Sequence, residues 1–306
     1  MARLSTSPDG TGAEPAEVSA VVVNHDAGNA LLECVRSLRA DGVREITVVD
    51  NASSDGSSEA LVRADHDVRL LRTGANLGYG AGANQGIAVS ASELVLVANP
   101  DVAVHRGAVS ALAAVLDADP TLAIAGPKIL EPDGTRYPSA RRFPSLVDAA
   151  GHAVLADLAP NNPFTRRYRM GDLDTAGTAA LGVDWVSGAC FVARRRALEE
   201  LGGFDEAYFM YAEDADLCWR ARRAGWGVVY APQAVVTHLQ GVSTARRPFR
   251  MLVAHHRSVF RFATRTERGW RRLALPVMAV LLAVRLGIMC GRQALLALIR
   301  VARPAE

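Results

Sequence analysis

From Val18 to about Ala125 short apolar runs alternate with amphipathic stretches. Val18–Val23 reads as an apolar strand; after Asn29, a capping residue type, Leu31, Leu32, Val35 and Leu38 recur at helical spacing. The same pattern predicts a strand over Glu45–Val49, a short helix near Ser58–Ala64 and a strand over Val68–Leu71. It continues with a helix near Gly82–Ser90, a strand over Leu94–Ala98 and a helix near Gly107–Leu116. Strands apolar on both faces, alternating with helices, predict an α/β domain with a mostly parallel central sheet covered on both sides.

Between Gly126 and Gly182 the periodicity fades into Pro, Asn, Arg and Gly, with Tyr137-Pro138-Ser139-Ala140-Arg141-Arg142 as a landmark, and the stretch reads as a loop-rich insertion. Regular structure resumes at Val183–Ala193, followed by helices near Arg196–Leu201 and Glu213–Ala224 and a strand over Gly227–Tyr230 that leads to Thr237-His238. Beyond Arg250 the pattern is helical. Leu273–Val284 is apolar except where Pro276 interrupts it, Arg285 ends that run, and Leu286–Ile299 adds a second piece containing Arg292. Each piece is shorter than the roughly 20 residues a bilayer requires, so the segment reads as a basic amphipathic anchor lying at a membrane surface. The other reading is a helical pair packed on the main domain with its arginines solvated.

Half of the 306 residues are apolar, enough for a substantial core. The pattern divides the chain into a loose tail over 1–17 with no apolar signal stretch, a sheet domain over 18–245 and C-terminal helices over 246–306. Four scattered cysteines with no C-x-x-C pair fit a reducing, cytosolic compartment. Overall charge is only +2, yet from Arg246 onward 13 Arg face Glu267 and Glu306, a net +11 over 61 residues. Such a block implies an anionic partner, and attraction to anionic lipid at a membrane surface would explain both the charge and the apolar stripe; no nucleic acid is expected. The expected location is peripheral, on the cytoplasmic face of the plasma membrane. Whether the chain forms a homo-oligomer is left open.

In open α/β sheets ligands sit beyond the carboxyl ends of the strands. Those ends here are polar: Asn24-His25-Asp26, Asp50 through Gly56, Thr73 to Asn76, and Asn99-Pro100-Asp101. Asp101 offers a hard oxygen ligand for Mg²⁺ or Mn²⁺ on a diphosphate, or else simply caps the next helix. Asp50 and Asn51 suit a base and ribose, or a turn. The glycines from Gly74 to Gly86 resemble a dinucleotide loop, but they follow the third strand rather than the first; close backbone approach or tight helix packing is the other reading. Glu213-Asp214-Ala215-Asp216 opens a helix whose Leu217, Ala221 and Ala224 face inward. An acid there can act as general base, or all three can be ordinary first-turn carboxylates, Asp216 pairing with Arg220. His238 is either a hydrogen-bonded core histidine or a second metal ligand.

Taken in order, Val21-Val22-Val23-Asn24, Val48 through Gly56, Asn76-Leu77-Gly78, Asn99-Pro100-Asp101, Gly188-Ala189-Cys190, Gly202 through Glu206 and Glu213 through Leu217 resemble the family 2 glycosyltransferases over roughly residues 18–240. The resemblance implies a GT-A nucleotide-diphospho-sugar transferase fold and an inverting enzyme. It implies Asp214 as catalytic base and Asp101 as the last residue of a D-x-D-type motif binding a divalent cation, Mg²⁺ or Mn²⁺, with His238 as a further ligand. It places Asn24, Asp50, Asn51, Asn76, Gly78, Asn99 and Lys128 around the nucleotide-sugar, and Trp185, Gly188, Glu213 and Asp216 on the acceptor side. Asn99 stands where the motif has its first acid, as in the rhamnosyltransferase branch. That branch implies a dTDP-L-rhamnose donor and a polyprenyl-diphosphate-linked GlcNAc acceptor in arabinogalactan linker synthesis. Other donors and acceptors, an oxidoreductase using the Gly-rich loop, or a non-catalytic sugar-nucleotide scaffold are the alternatives.

Overall fold

The computed structural model describes residues 17–143, 159, 162–168, 170, 179–239 and 248–302, with side chains followed to Leu295. The tail, except Glu17, most of the 144–178 stretch, and Arg246, Arg247 and Arg303 of the basic block lie outside the described residues.

The first half is the predicted alternation: β1 (Val18–Asn24), α1 (Asn29–Ala40), β2 (Ile46–Asp50), α2 (Ser57–Ala64), β3 (Arg69–Arg72), α3 (Tyr79–Ala88), β4 (Leu94–Ala98), β5 (Val102–Val104) and α4 (Ala108–Ala118). The second half comprises β6 (Leu122–Leu130), β7 (Arg136–Tyr137), β8 (Ala140–Arg141), α5 (Pro163–Tyr168), β9 (Leu181–Gly182), β10 (Trp185–Val186), β11 (Cys190–Arg194), α6 (Arg195–Leu201), α7 (Glu213–Arg223), β12 (Gly227–His238) and α8 (Pro248–Thr266). A 3₁₀ turn (Gly269–Ala274) then leads into α9 (Leu275–Ala302).

The main sheet runs β3-β2-β1-β4-β11-β6-β12-β5. β1 to β4 are mutually parallel, β11 is antiparallel to β4 and β6, and β12 is parallel to β6. The chain winds outward from β1 to β2 and β3 on one side and returns to β4 on the other, which opens a crevice at the carboxyl ends of β1 and β4. Both faces are covered: Val22 and Val48 lie against the side of the core formed with Leu31, Val35 and Leu38 of α1, while Val21, Val23 and Val49 share the other with Ala83 and Ile87 of α3.

The glycine-rich stretch is mostly helix, starting three residues earlier than predicted. A Cβ on Gly86 would fall 2.3 Å from Val21 and one on Gly82 3.0 Å from Val23, so these glycines bring α3 down onto β1. They form no dinucleotide loop. At α1 the boundary residue is Gly28 (φ 58°), whose N–H donates to Asp55 Oδ2 at 2.7 Å; Asn29 is already inside the helix. Ala224 is the C-terminal cap of α7 and is exposed rather than inward-facing.

Three further predictions need correction. Gly126-Pro127-Lys128, read as the start of a loop, lies inside β6: a Cβ on Gly126 would meet Val186 Cβ at 2.6 Å, so the glycine marks a close approach of β10. The strand predicted over Gly227–Tyr230 continues to His238 through an irregularity around Pro232, which carries His238 back to the sheet's carboxyl edge beside β5. The two C-terminal apolar pieces form a single helix, because Pro276 sits in the first turn of α9, where its missing N–H breaks no bond. Within Gly269–Leu295 an 18-residue window has a mean hydropathy of 2.3, so this stretch is long and apolar enough, by length and composition, to cross a membrane.

Candidate active site

Beyond the carboxyl ends of β1 and β4 lies a cavity of about 440 Å³. Asn51, Asn76, Asn99, Asp101, Trp185, Gly188, Glu213, Asp214 and His238 all line it. Asn24, Asp50, Gly78, Lys128 and Asp216 do not.

Asn24 is fully buried, and its amide N–H₂ faces the hydroxyls of Ser53, Ser57 and Ser58 at 2.9–3.1 Å, tying β1 to the start of α2. Its N–H₂ braces the turn, its Oδ1 has no partner among the described residues, and it does not line the cavity. Asp50 accepts from the Ser53 N–H at 3.0 Å and from Arg72 at 3.1 Å, holding the outer edge of the crevice. Asn51 braces the next loop: its Oδ1 accepts from the Leu77 N–H at 2.9 Å, and its Nδ2 donates to Gly78 O at 3.0 Å. Gly78 (φ 95°) permits a close contact, since a Cβ there would fall 2.3 Å from Phe209 O, while the Tyr79 N–H donates to that same carbonyl at 3.0 Å. Lys128 lies along β6, away from the cavity.

Asn99, Asp101 and His238 converge. His238 Nε2 lies 3.0 Å from Asp101 Oδ1 and 3.2 Å from Asn99 Nδ2. One ring nitrogen cannot both donate to the carboxylate and accept from the amide. With the Asn99 amide turned, two oxygens face the ring nitrogen. A carboxylate oxygen, an imidazole nitrogen and an amide oxygen fit a hard divalent cation that keeps waters and diphosphate oxygens as its remaining ligands. Among the described residues no third His, Cys, Asp or Glu joins them.

The acids of α7 are aimed by two consecutive left-handed residues, Tyr211 (φ 68°) and Ala212 (φ 62°), a conformation that costs on the order of 1–3 kcal/mol at each non-glycine position. Asp214 Oδ2 accepts from the Gly188 N–H and Oδ1 from the Ala215 N–H, both at 2.8 Å. The Gly188 carbonyl in turn accepts from the Tyr79 hydroxyl at 2.6 Å. Burial pushes the Asp214 carboxyl above the usual aspartate range, against the pull of those N–H donors and of Arg141. Its neighbour Glu213 is pushed up to about 8 by burial and then by the charge of Asp214, and its Oε2 is buried with no hydrogen-bond partner among the described residues. Asp216 is fully buried in ion pairs with Arg220 (2.7 Å) and Arg265 (3.1 Å), the structural role open to it in the sequence.

Two walls carry no recognisable motif. Arg141 stands in an aromatic cage, its Cζ 4.8 Å from the Trp185 ring and 5.5 Å from those of Tyr137 and Tyr168, and it donates to both phenol oxygens. The basic and aromatic run around Tyr137 is its only trace in the sequence. The other wall is α8, which contributes Met251, His255, Val259 and Phe262. Burial, then the charges of His256, Arg285 and Arg141, lowers His255 to about 4, so its imidazole is neutral at pH 7. Ser258 donates to Met210 O at 2.8 Å, and Arg261 and Arg265 pair with Asp205, so the C-terminal region is strapped to the loop that presents the acids.

The model of the glycosyltransferase like family 2 matches residues 15–261. The chain is 41% identical over 268 residues to the N-acetylglucosaminyl-diphospho-decaprenol L-rhamnosyltransferase of Mycobacterium tuberculosis, covering 83% of this chain and 86% of that protein. Among solved structures it is similar to the mannosyltransferase PcManGT from Pyrobaculum calidifontis in complex with GDP-Man and Mn²⁺, with a TM-score of 0.55, 17% identity and coverage of 93% and 81%. It is also similar to GalNAc-T7 with UDP, GalNAc and Mn²⁺, with a TM-score of 0.56, 15% identity and coverage of 73% and 43%. These structural likenesses establish the GT-A fold.

Proposed function

The chain belongs to the family 2-like glycosyltransferases, and on that premise we propose that it is an inverting rhamnosyltransferase taking L-rhamnose from dTDP-L-rhamnose to a polyprenyl-diphosphate-linked GlcNAc. The observation that carries the chemistry is the single cavity in which Asp101, Asn99 and His238 face the acids of α7. The donor and acceptor are carried by the likeness to the mycobacterial enzyme, whose name specifies both rhamnose and a diphospho-decaprenol acceptor.

In this reading an acceptor hydroxyl attacks the anomeric carbon as the bond to the diphosphate breaks, with inversion, and its proton passes to the Asp214 carboxylate. Glu213, which burial and then the charge of Asp214 push toward its protonated form, limits the negative charge beside the base. Asp101, His238 and Asn99 would hold the divalent cation, which when bound neutralises the charge on the departing nucleoside diphosphate. Asp50, Asn51 and Asn76 border the nucleoside end. Gly188 and Trp185 border the acceptor with Arg141, while Lys128 and Asp216 support the fold. The basic, apolar C-terminus supports a lipid-linked acceptor and a place at the cytoplasmic membrane face.

The test incubates the full chain with a panel of nucleotide sugars and farnesyl-diphospho-GlcNAc, with Mg²⁺, Mn²⁺ or a chelator. Turnover of dTDP-L-rhamnose alone, abolished by chelation, is expected; turnover of a different donor sinks the rhamnosyl assignment, and turnover of none sinks the enzyme itself.

A further inference from the structure

α8 carries two stripes at helical spacing. Its inner stripe lines the catalytic cavity. On the outer stripe Arg250, Val253, Arg257, Phe260 and Arg261 line a second groove of about 620 Å³, closed on the far side by Ala207 and Phe209. Phe209 and Arg250 border both spaces, so the groove and the cavity share a wall.

Among the described residues no acid lines this groove. Arg261 is paired with Asp205, but Arg250 and Arg257 are exposed and make no ion pair among the described residues. Arg250 instead lies 4.9 Å from the centroid of the Phe209 ring. Unpaired guanidiniums beside an apolar floor of Val253, Phe209 and Phe260 match a ligand that joins phosphate to hydrocarbon. The 3₁₀ turn after α8 then presents Trp270 and Leu273, 78% and 80% exposed, on the way to apolar α9.

We propose that this groove seats the diphosphate of the polyprenyl-linked acceptor on Arg250 and Arg257, with the sugar passing Phe209 into the cavity and the prenyl chain running toward α9. The proposal rests on the acceptor assignment above and deepens it. A site for bulk anionic headgroups would need no wall in common with the catalytic cavity.

The experiment compares the full wild-type chain with Arg257→Ala, Arg250→Ala/Arg257→Ala and Arg257→Lys in neutral detergent, with thermal melts to verify folding. With farnesyl-diphospho-GlcNAc the KM is expected to rise about tenfold or more in Arg257→Ala, and further in the double variant, while kcat stays within about threefold; Arg257→Lys falls between. Titration with farnesyl diphosphate, which carries no sugar, should weaken by the same factor, whereas dTDP affinity holds. If the variants bind farnesyl diphosphate as tightly as wild type and lose only adhesion to phosphatidylglycerol vesicles, the arginines read bulk headgroups and the proposal is overturned. If wild type fails to bind farnesyl diphosphate, it is overturned likewise. If binding falls as expected but no nucleotide sugar is turned over, the groove stands and the enzymatic reading fails.

Discussion

Asp214 and Asp216 sit two residues apart on the same helix, the first half-buried against the cavity and the second fully buried, and their partners differ as much as their exposure. Asp216 is saturated by Arg220, Arg265 and the Tyr208 hydroxyl at 3.4 Å, so its charge is neutralised within the fold. Asp214 has two backbone N–H donors, a raised pKa and an open side toward the cavity, beside a glutamate with an unpartnered oxygen. One carboxylate fastens α8 to α7; the other is left available for reaction. A buried acid is therefore read by what remains unsatisfied around it, since the residue type and helix position of these two are nearly the same.

Substitutions at each acid test that contrast. Asp214→Asn should lower turnover by about 10²–10⁴-fold with dTDP affinity and melting temperature little changed. Retained turnover in a rhamnosyl-transfer assay would move the base elsewhere. Asp216→Ala should do the opposite, costing about 3–5 kcal/mol of stability by leaving Arg220 and Arg265 beside an empty buried site, as read from denaturant unfolding. If it unfolds like wild type, the strap carries no load. Smaller is Asp101→Asn, which should raise the cation concentration for half-maximal activity by about tenfold or more.

The mildest effect concerns pH. Because the folded-state pKa of Glu213 is raised to about 8 from 4.5, the native state holds a proton that the unfolded chain has released. Stability from this group is fully present below about pH 4.5 and declines as the pH rises toward 8. Glu213→Gln should flatten that slope in melts at pH 5, 6.5 and 8, and an unchanged slope would place the titration in another group.

The parallel half of the sheet was legible because its strands are apolar on both faces and its helices keep a 3.6-residue period. β6 was not, because Gly126 and Pro127 break the strand pattern locally, Gly126 making room for Val186 of β10. α9 was misread because Pro276 stops a helix only when it is not in the first turn. Within the site, Asp101, His238 and Asp214 were visible as polar residues at the ends of regular elements. Arg141 and His255 were not, since an aromatic cage and a helix wall are assembled from distant segments. Asp216 looked as chemical as Asp214 in sequence, and only its partners show that it holds structure.

The paired left-handed residues at the entrance of α7 set stability against use. Ala212→Gly would relieve that backbone by up to about 1 kcal/mol and free the turn that aims Glu213 and Asp214. A breeder of heat-resistant variants would keep such a substitution, and a breeder of fast ones would discard it. Alanine at position 212 thus accepts backbone strain in return for a turn that holds the two acids in one orientation.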